Sequence, residues 1–205
     1  MRCFCKLAAA LLLSLAAISA RAHLTIENTQ GIDNPTAIAV VPFAWQSGGT
    51  APEDIAGVVQ SDLSRSGQFA PVDRADMLGF PSTQQDVFYR DWRVLQTEYL
   101  LIGRVSVAGQ MRIEYELYDV NRQTLVESGT VTGSPNEARM LAHQVSDKVY
   151  QKLTGIPGAF ATRLLYVSVT RNPTGKDYYR LTLADSDGAR PIAVSYTHLR
   201  AHETT

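Results

Sequence analysis

Few residues in this 205-residue chain have types and spacing suited to chemistry, and most of those stand alone. His198 and His202 lie four apart, which would put them on one helix face as in zinc-binding helices. Position 199, however, is Leu where a metalloprotease needs its glutamate base, and no third ligand lies nearby. Asp185-Ser186-Asp187-Gly188 opens like a calcium loop, but its glycine comes too early and the distal glutamate is missing. It reads as a turn closing a strand. Gly48-Gly49-Thr50 follows an apolar run as a phosphate-binding turn would, without the Lys-Ser/Thr pair that such a turn requires. His23 and His143 are single, and His143 reads as a packing or surface residue of a helix. A Gly-x-Ser-x-Gly elbow is missing, and the carboxylates are scattered with no pair spaced for joint acid–base work. The expectation is a protein that is not an enzyme, with no catalytic residue, metal ligand or cofactor.

The elements that would carry these residues follow from periodicity. Residues 37–43 (Ala-Ile-Ala-Val-Val-Pro-Phe) are a continuous apolar run of strand length, buried on both faces. A helix is expected to begin at Thr50 or Ala51, with Pro52, Glu53 and Asp54 in its first turn and Gly67 ending it. Ile55, Val58, Val59, Asp62 and Leu63 follow at helical spacing. Residues 68–72 are a second strand. Residues 85–97 are weakly helical, with Val87, Phe88, Trp92 and Leu95 as the apolar side. Residues 98–107 form a buried strand. Residues 110–120 alternate Met111, Ile113, Tyr115 and Leu117 against Arg112, Glu114, Glu116 and Tyr118, and pair with residues 124–133 as a hairpin.

In the last helix, residues 134–154, Ser134 caps, Pro135 suits the first turn and Glu137 completes a capping box. Ala138, Leu141, Ala142, Val145, Val149 and Leu153 form its buried face, and Gly155 stops it. The order β-α-β-α-β-β-β-α over residues 37–154 predicts a three-layer α/β domain on a mixed, roughly five-stranded sheet whose last strands are antiparallel. Residues 155–161 are a Gly/Pro-rich hinge, and residues 163–170 and 178–184 are strands of a new unit.

Location is set by the first 22 residues. Arg2 and Lys6 precede an apolar core of about twelve residues, too short to span a bilayer, and Ala20-Arg21-Ala22 offers a signal-peptidase site. Cys3 and Cys5 lie upstream of that core, so neither lipid anchoring nor disulfides are expected in the mature chain. Losing Arg2, Lys6 and Arg21 takes the formal charge from −1 to −4. A mildly acidic chain without basic blocks is a poor binder of nucleic acid or anionic membranes, and signal removal leaves no segment for membrane insertion. The expectation is a soluble, exported, disulfide-free protein.

Several stretches together carry a family resemblance. They are Val40-Val41-Pro42-Phe43, Ala51-Pro52-Glu53-Asp54-Ile55, Ser66-Gly67-Gln68-Phe69, Leu101-Ile102-Gly103-Arg104-Val105 and Tyr115-Glu116-Leu117-Tyr118-Asp119. Val145-Ser-Asp-Lys-Val-Tyr-Gln-Lys-Leu-Thr-Gly155 and Gly158-Ala-Phe-Ala-Thr-Arg163 complete the set. Spread over about 170 residues, this wording resembles the TolB family of the periplasmic Tol–Pal system, with residues 73–94 departing most.

The resemblance implies a non-enzymatic adaptor, an α/β domain followed by a six-bladed propeller, that links a TolA-like inner-membrane protein to a Pal-like outer-membrane lipoprotein. It would support outer-membrane integrity and cell division. It also implies that the first mature residues bind TolA: His23, Leu24, Thr25, Ile26, Glu27, Asn28, Thr29, Gln30, Gly31, Ile32, Asp33 and Asn34. By pattern alone, residues 23–34 read as an edge strand or frayed terminus dissolving into loop chemistry. Residues 162–194 would be an incomplete first blade, since a blade has four strands in roughly 40 residues. Residues 195–205 do not resemble family sequence and are expected to be a non-native tail. The other functional class is a periplasmic α/β ligand-binding or enzymatic domain, with its ligand at residues 48–50.

Overall fold

The computed structural model describes residues 34–173, 175 and 177–197, all within one compact unit, Ile32–Thr205. The apolar run at its start forms β1 (Thr36–Val40), and β2 (Ala44–Trp45) follows it closely. Both pair in parallel with β4 (Tyr99–Ala108), Val40 opposite Leu101 and Ala44 opposite Arg104. Four steps on one strand thus face three on the other, so one extra residue is accommodated between them. Pro42 explains the break, because it has no N–H to give to the ladder. Val41 N still donates to Leu101 O at 2.9 Å before the interruption.

The main sheet runs β3-β1-β4-β5-β6, with β3 (Phe69–Pro71), β5 (Gln110–Asp119) and β6 (Thr124–Gly133), while β2 pairs with β4 off this path. It is mixed, as expected: β1 is parallel to β3 and β4, while β4, β5 and β6 are antiparallel. Short β2 makes it six-stranded rather than five.

Alternation along the central strands fills both faces. Ile38, Val40, Leu101, Ile113 and Leu117 face α1 (Ile55–Arg65) and α3 (Ala138–Thr154), which pack side by side on one face. Ala39, Val41, Leu100, Ile102, Tyr118 and Val120 face the other way, under Met77, Val87 and Trp92. That third layer is thin. Its only α-helix among the described residues is α2 (Tyr89–Val94), flanked by 3-10 turns at Arg74–Asp76 and Gln84–Asp86.

Several local expectations are corrected. α1 begins at Ile55 rather than at residue 50 or 51, because Asp54 is its N-cap: its carboxylate accepts from Gly57 N at 3.1 Å. Ser134 caps a one-turn 3-10 segment, Pro135–Glu137, by accepting from Asn136 N, and the α-helix starts only at Ala138. Phe88, expected inside, is 71% exposed, since the six-residue α2 starts after it and turns Val87 and Trp92 inward instead. Tyr118, expected on an exposed face, is buried against the thin layer and donates its hydroxyl to Glu116 Oε2 at 2.5 Å. Burial and that carboxylate push the Tyr118 phenol well above its ordinary range.

The second sheet, β7 (Arg163–Thr170), β8 (Tyr178–Asp185) and β9 (Ile192–Thr197), is antiparallel and fits a partial propeller blade. β9 extends three residues past the expected blade end at 194, pairing Ser195, Tyr196 and Thr197 with Leu181, Arg180 and Tyr179. A polar-aromatic, β-branched triplet beside the open edge of β8 has the composition to pair there. Leu164, Leu165, Tyr166, Val167 and Val169 on β7 are all exposed. Trypsin should therefore cut at Arg163, Arg171 or Arg180 before any site in residues 36–154, a sequence of events that mass spectrometry of timed digests would read. Prior cleavage at Arg65 or Arg104 would contradict it.

Candidate functional site

Of the twelve residues expected to bind a partner, residues 23–33 lie outside the described residues. Asn34 is described and is exposed, two residues before β1. Since β1 lies between β3 and β4, the segment joins the chain at the interior of the main sheet, where Thr36 N donates to Gln68 O at 2.9 Å. His198 and His202 also lie outside the described residues.

The alternative ligand position, residues 48–50, adjoins a mainly apolar groove of about 280 Å³ beside Phe43, Trp45 and Val105. Trp45 Nε1 donates to Gly49 O at 3.1 Å. The helix N-terminus that could have met an anion here is already filled by the Asp54 carboxylate, which also pairs with Arg74 at 3.1 Å.

The densest polar arrangement lies between the two sheets, and the sequence did not announce it. Asp62 sits on the buried side of α1 and His143 on the buried side of α3, both fully buried. His143 Nδ1 lies 2.6 Å from Asp62 Oδ2, and Ser146 Oγ donates to the same oxygen at 2.7 Å. Arg65, one turn on, donates to Asp62 Oδ1 at 2.8 Å. Asp62 thereby joins the two helices that cover the sheet. The other imidazole nitrogen, Nε2, has no hydrogen-bond partner and lies 3.8 Å from Asp187 Oδ2.

Asp187 belongs to the β8–β9 turn, where Asp185, Ser186, Asp187 and Gly188 form a tight turn as expected, with Gly188 N donating to Asp185 O at 2.8 Å and Gly188 at φ +81°. Its carboxylate also accepts from Arg139 Nη2, and Arg139 Nη1 reaches Glu53 at 3.4 Å. Burial pushes the Asp187 carboxyl up, but the Ala189 amide, the Arg139 guanidinium and His143 outweigh it and hold the group below its ordinary value. Beside it, buried Asp185 is clamped by Arg190 at 2.7 Å.

The hinge expected at residues 155–161 folds back on α3. Asp147 carboxylate oxygens accept from Phe160 N at 2.7 Å and Ala161 N at 3.2 Å, and the Phe160 ring meets Tyr150 edge-on at 5.5 Å. Gly158 is required there, because a Cβ would lie 2.5 Å from Asp147 Cα. Ser186 Oγ donates to Phe160 O at 2.6 Å, tying the blade turn to the same segment. The first blade strands and the α/β domain are thus held at two places, the hinge and the Asp187 turn.

A sequence profile described as the TolB amino-terminal domain matches residues 24–126. The chain belongs to the TolB family. It is 40% identical over 181 residues to the Tol-Pal system protein TolB of Pseudomonas fluorescens SBW25, covering 88% of this chain and 42% of that protein. It is 46% identical over 179 residues to the Tol-Pal system protein TolB of Marinomonas sp. MWYL1, covering 86% of this chain and 41% of that protein. The crystal structure of TolB from Acinetobacter baumannii matches with a TM-score of 0.66 and 32% identity, over 80% of this chain and 39% of that one. The chain therefore spans about two-fifths of the length of these TolB relatives. Among the described residues no helix is long and apolar enough to cross a membrane.

Proposed function

We propose that this chain is the amino-terminal part of a periplasmic, non-enzymatic adaptor of the Tol–Pal system. Residues 23–34 bind a TolA-like inner-membrane partner; a Pal-like outer-membrane lipoprotein is met by a propeller surface that lies mostly in the additional length of the TolB relatives. Linking the two supports outer-membrane integrity during cell division. The observation that carries the reading is family membership, with the profile match starting at Leu24, inside the proposed partner segment.

The binding mode is strand addition. Leu24 and Ile26 alternate with Thr25 and Glu27, so two apolar side chains can share one face while the backbone extends a partner's sheet. Ordering so short a segment consumes much of what two anchors and a few backbone hydrogen bonds return, which gives a contact that is modest and readily competed. A relay between two membranes requires that property.

Deleting residues 23–34 from a full-length version should abolish binding of the TolA-like partner in isothermal titration calorimetry and leave the melting temperature within about 2 °C. Retained binding would place the partner surface elsewhere. A large fall in melting temperature would make the segment structural.

A further inference from the structure

Three candidates stand outside the proposed adaptor role. The exposed apolar residues of β7 have nothing on them that specifies a partner. His143, Asp185 and Asp187 offer one donor atom each within 4.8 Å of one another, and Asp62 orients the imidazole as a carboxylate behind a metal-bound histidine would. The charges decide against a metal there. Glu53, Asp62, Asp185 and Asp187 carry four negative charges against three positive on Arg65, Arg139 and Arg190. The excess is one negative charge, which a divalent cation would overshoot in a buried setting where Arg139 and Arg190 already hold the two aspartates. One proton cancels it.

The geometry points to His143 as a proton-binding latch between the α/β domain and the first blade strands: an imidazolium bridging Asp62 of α1 and Asp187 of the β8–β9 turn. With Nδ1–H given to Asp62, neutral His143 turns the Nε2 lone pair toward the Asp187 carboxylate, lone pair against lone pair, 3.8 Å away. A proton on Nε2 converts that repulsion into an ion pair and supplies the partner the buried nitrogen lacks. The contact with Asp62, at 2.6 Å, has the short length of a charge-assisted bond.

The groups facing the ring are Asp62 and Ser146, with Arg65 behind Asp62, and Asp187, with Arg139 and Glu53 behind it; Asp185 and Arg190 complete the turn. The sign follows from linkage. A proton held in the docked state and released when the turn swings away makes docking tighter as pH falls and looser as pH rises. At strongly acidic pH, Asp187 takes up a proton in turn and its own ion pairs are lost, so docking has an acid limit below the ordinary carboxylate range.

Two readouts on the isotopically labelled chain test this. Nitrogen-15 shifts of the His143 ring should show both nitrogens protonated while the turn is docked. Hydrogen exchange of turn amides 185–189, corrected for the intrinsic pH dependence and compared at pH 5.5 and pH 8, should show the opening constant about tenfold larger at the higher pH. H143Q should remove that rise, whereas D187N should open the turn at both pH values. An Nε2 that stays unprotonated throughout, or a rise that persists in H143Q, overturns the latch. Zinc titration that protects the turn amides at constant pH would overturn it in favour of a metal site. If H143Q fails to fold, the ring shifts of the unmodified chain decide alone.

Discussion

Replacing Asp62 with alanine should destabilise the α/β domain by about 3–5 kcal/mol, the cost of removing one member of a buried, hydrogen-bonded charge cluster. At about 2–8 °C per kcal/mol for domains of this size range, the melting temperature should fall by about 6 °C or more. The size of the effect comes from what remains behind. Asp62 accepts from Ser146 and Arg65 and holds His143 Nδ1, and both His143 and Ser146 are fully buried. Arg65 is 41% exposed and can turn to solvent, whereas His143 and Ser146, both fully buried, lose the hydrogen-bond partner they share.

Thermal denaturation of D62A alone cannot separate this loss from a simple cavity; the double variant D62A/H143L can. Removing both polar partners relieves the stranded imidazole, so the double variant should be more stable than D62A and the two changes strongly non-additive. Additive losses would mean that Asp62 contributes only packing volume.

Asp62 and His143 also mark the limit of what the sequence discloses. The mixed sheet and the three layers follow from the order of elements that periodicity marks, with runs such as residues 37–43 and 98–107 as its buried strands; the spatial order of the strands does not. The same periodicity contained a signal for the buried pair. Asp62 falls in the stripe of Ile55, Val58, Val59 and Leu63, and His143 lies beside Leu141, Ala142 and Val145. A charged residue on one apolar helix face and a histidine on another are candidates for each other. Their separation of 81 positions and the absence of any motif kept the pairing out of reach.

Asp187 lies in the turn that the Asp-Ser-Asp-Gly wording implies, yet nothing local to a four-residue turn tells which helix it will meet. Boundaries failed for a different reason. Asp54 and Ser134 compete with the backbone for the first-turn donors, and whether such a residue stands before a helix or inside it depends on the chain that enters.

Substituting Gly103 with alanine should cost about 1–3 kcal/mol or more, as an overpacked site does. A Cβ on Gly103 would lie 2.5 Å from Phe43 Cδ2 and Cε2 and 2.7 Å from the backbone oxygen of Glu114. The glycine is a consequence of Pro42. Where that residue interrupts the ladder between β1 and β2, the chain turns the Phe43 ring down over β4, and only a residue without a side chain fits beneath it.

The ring could swing outward into the groove it lines with Trp45, but the Glu114 oxygen cannot yield so easily, being fixed by a ten-residue antiparallel pairing of β4 with β5. Chemical denaturation should therefore show a clear fall in midpoint for G103A and almost none for G48A, whose added methyl meets nothing within 4 Å. The companion variant F43L/G103A separates the two contacts. With the backbone oxygen dominant, trimming the ring restores little of the lost stability; full recovery would assign the clash to the ring and leave β4 free to carry a side chain at this position.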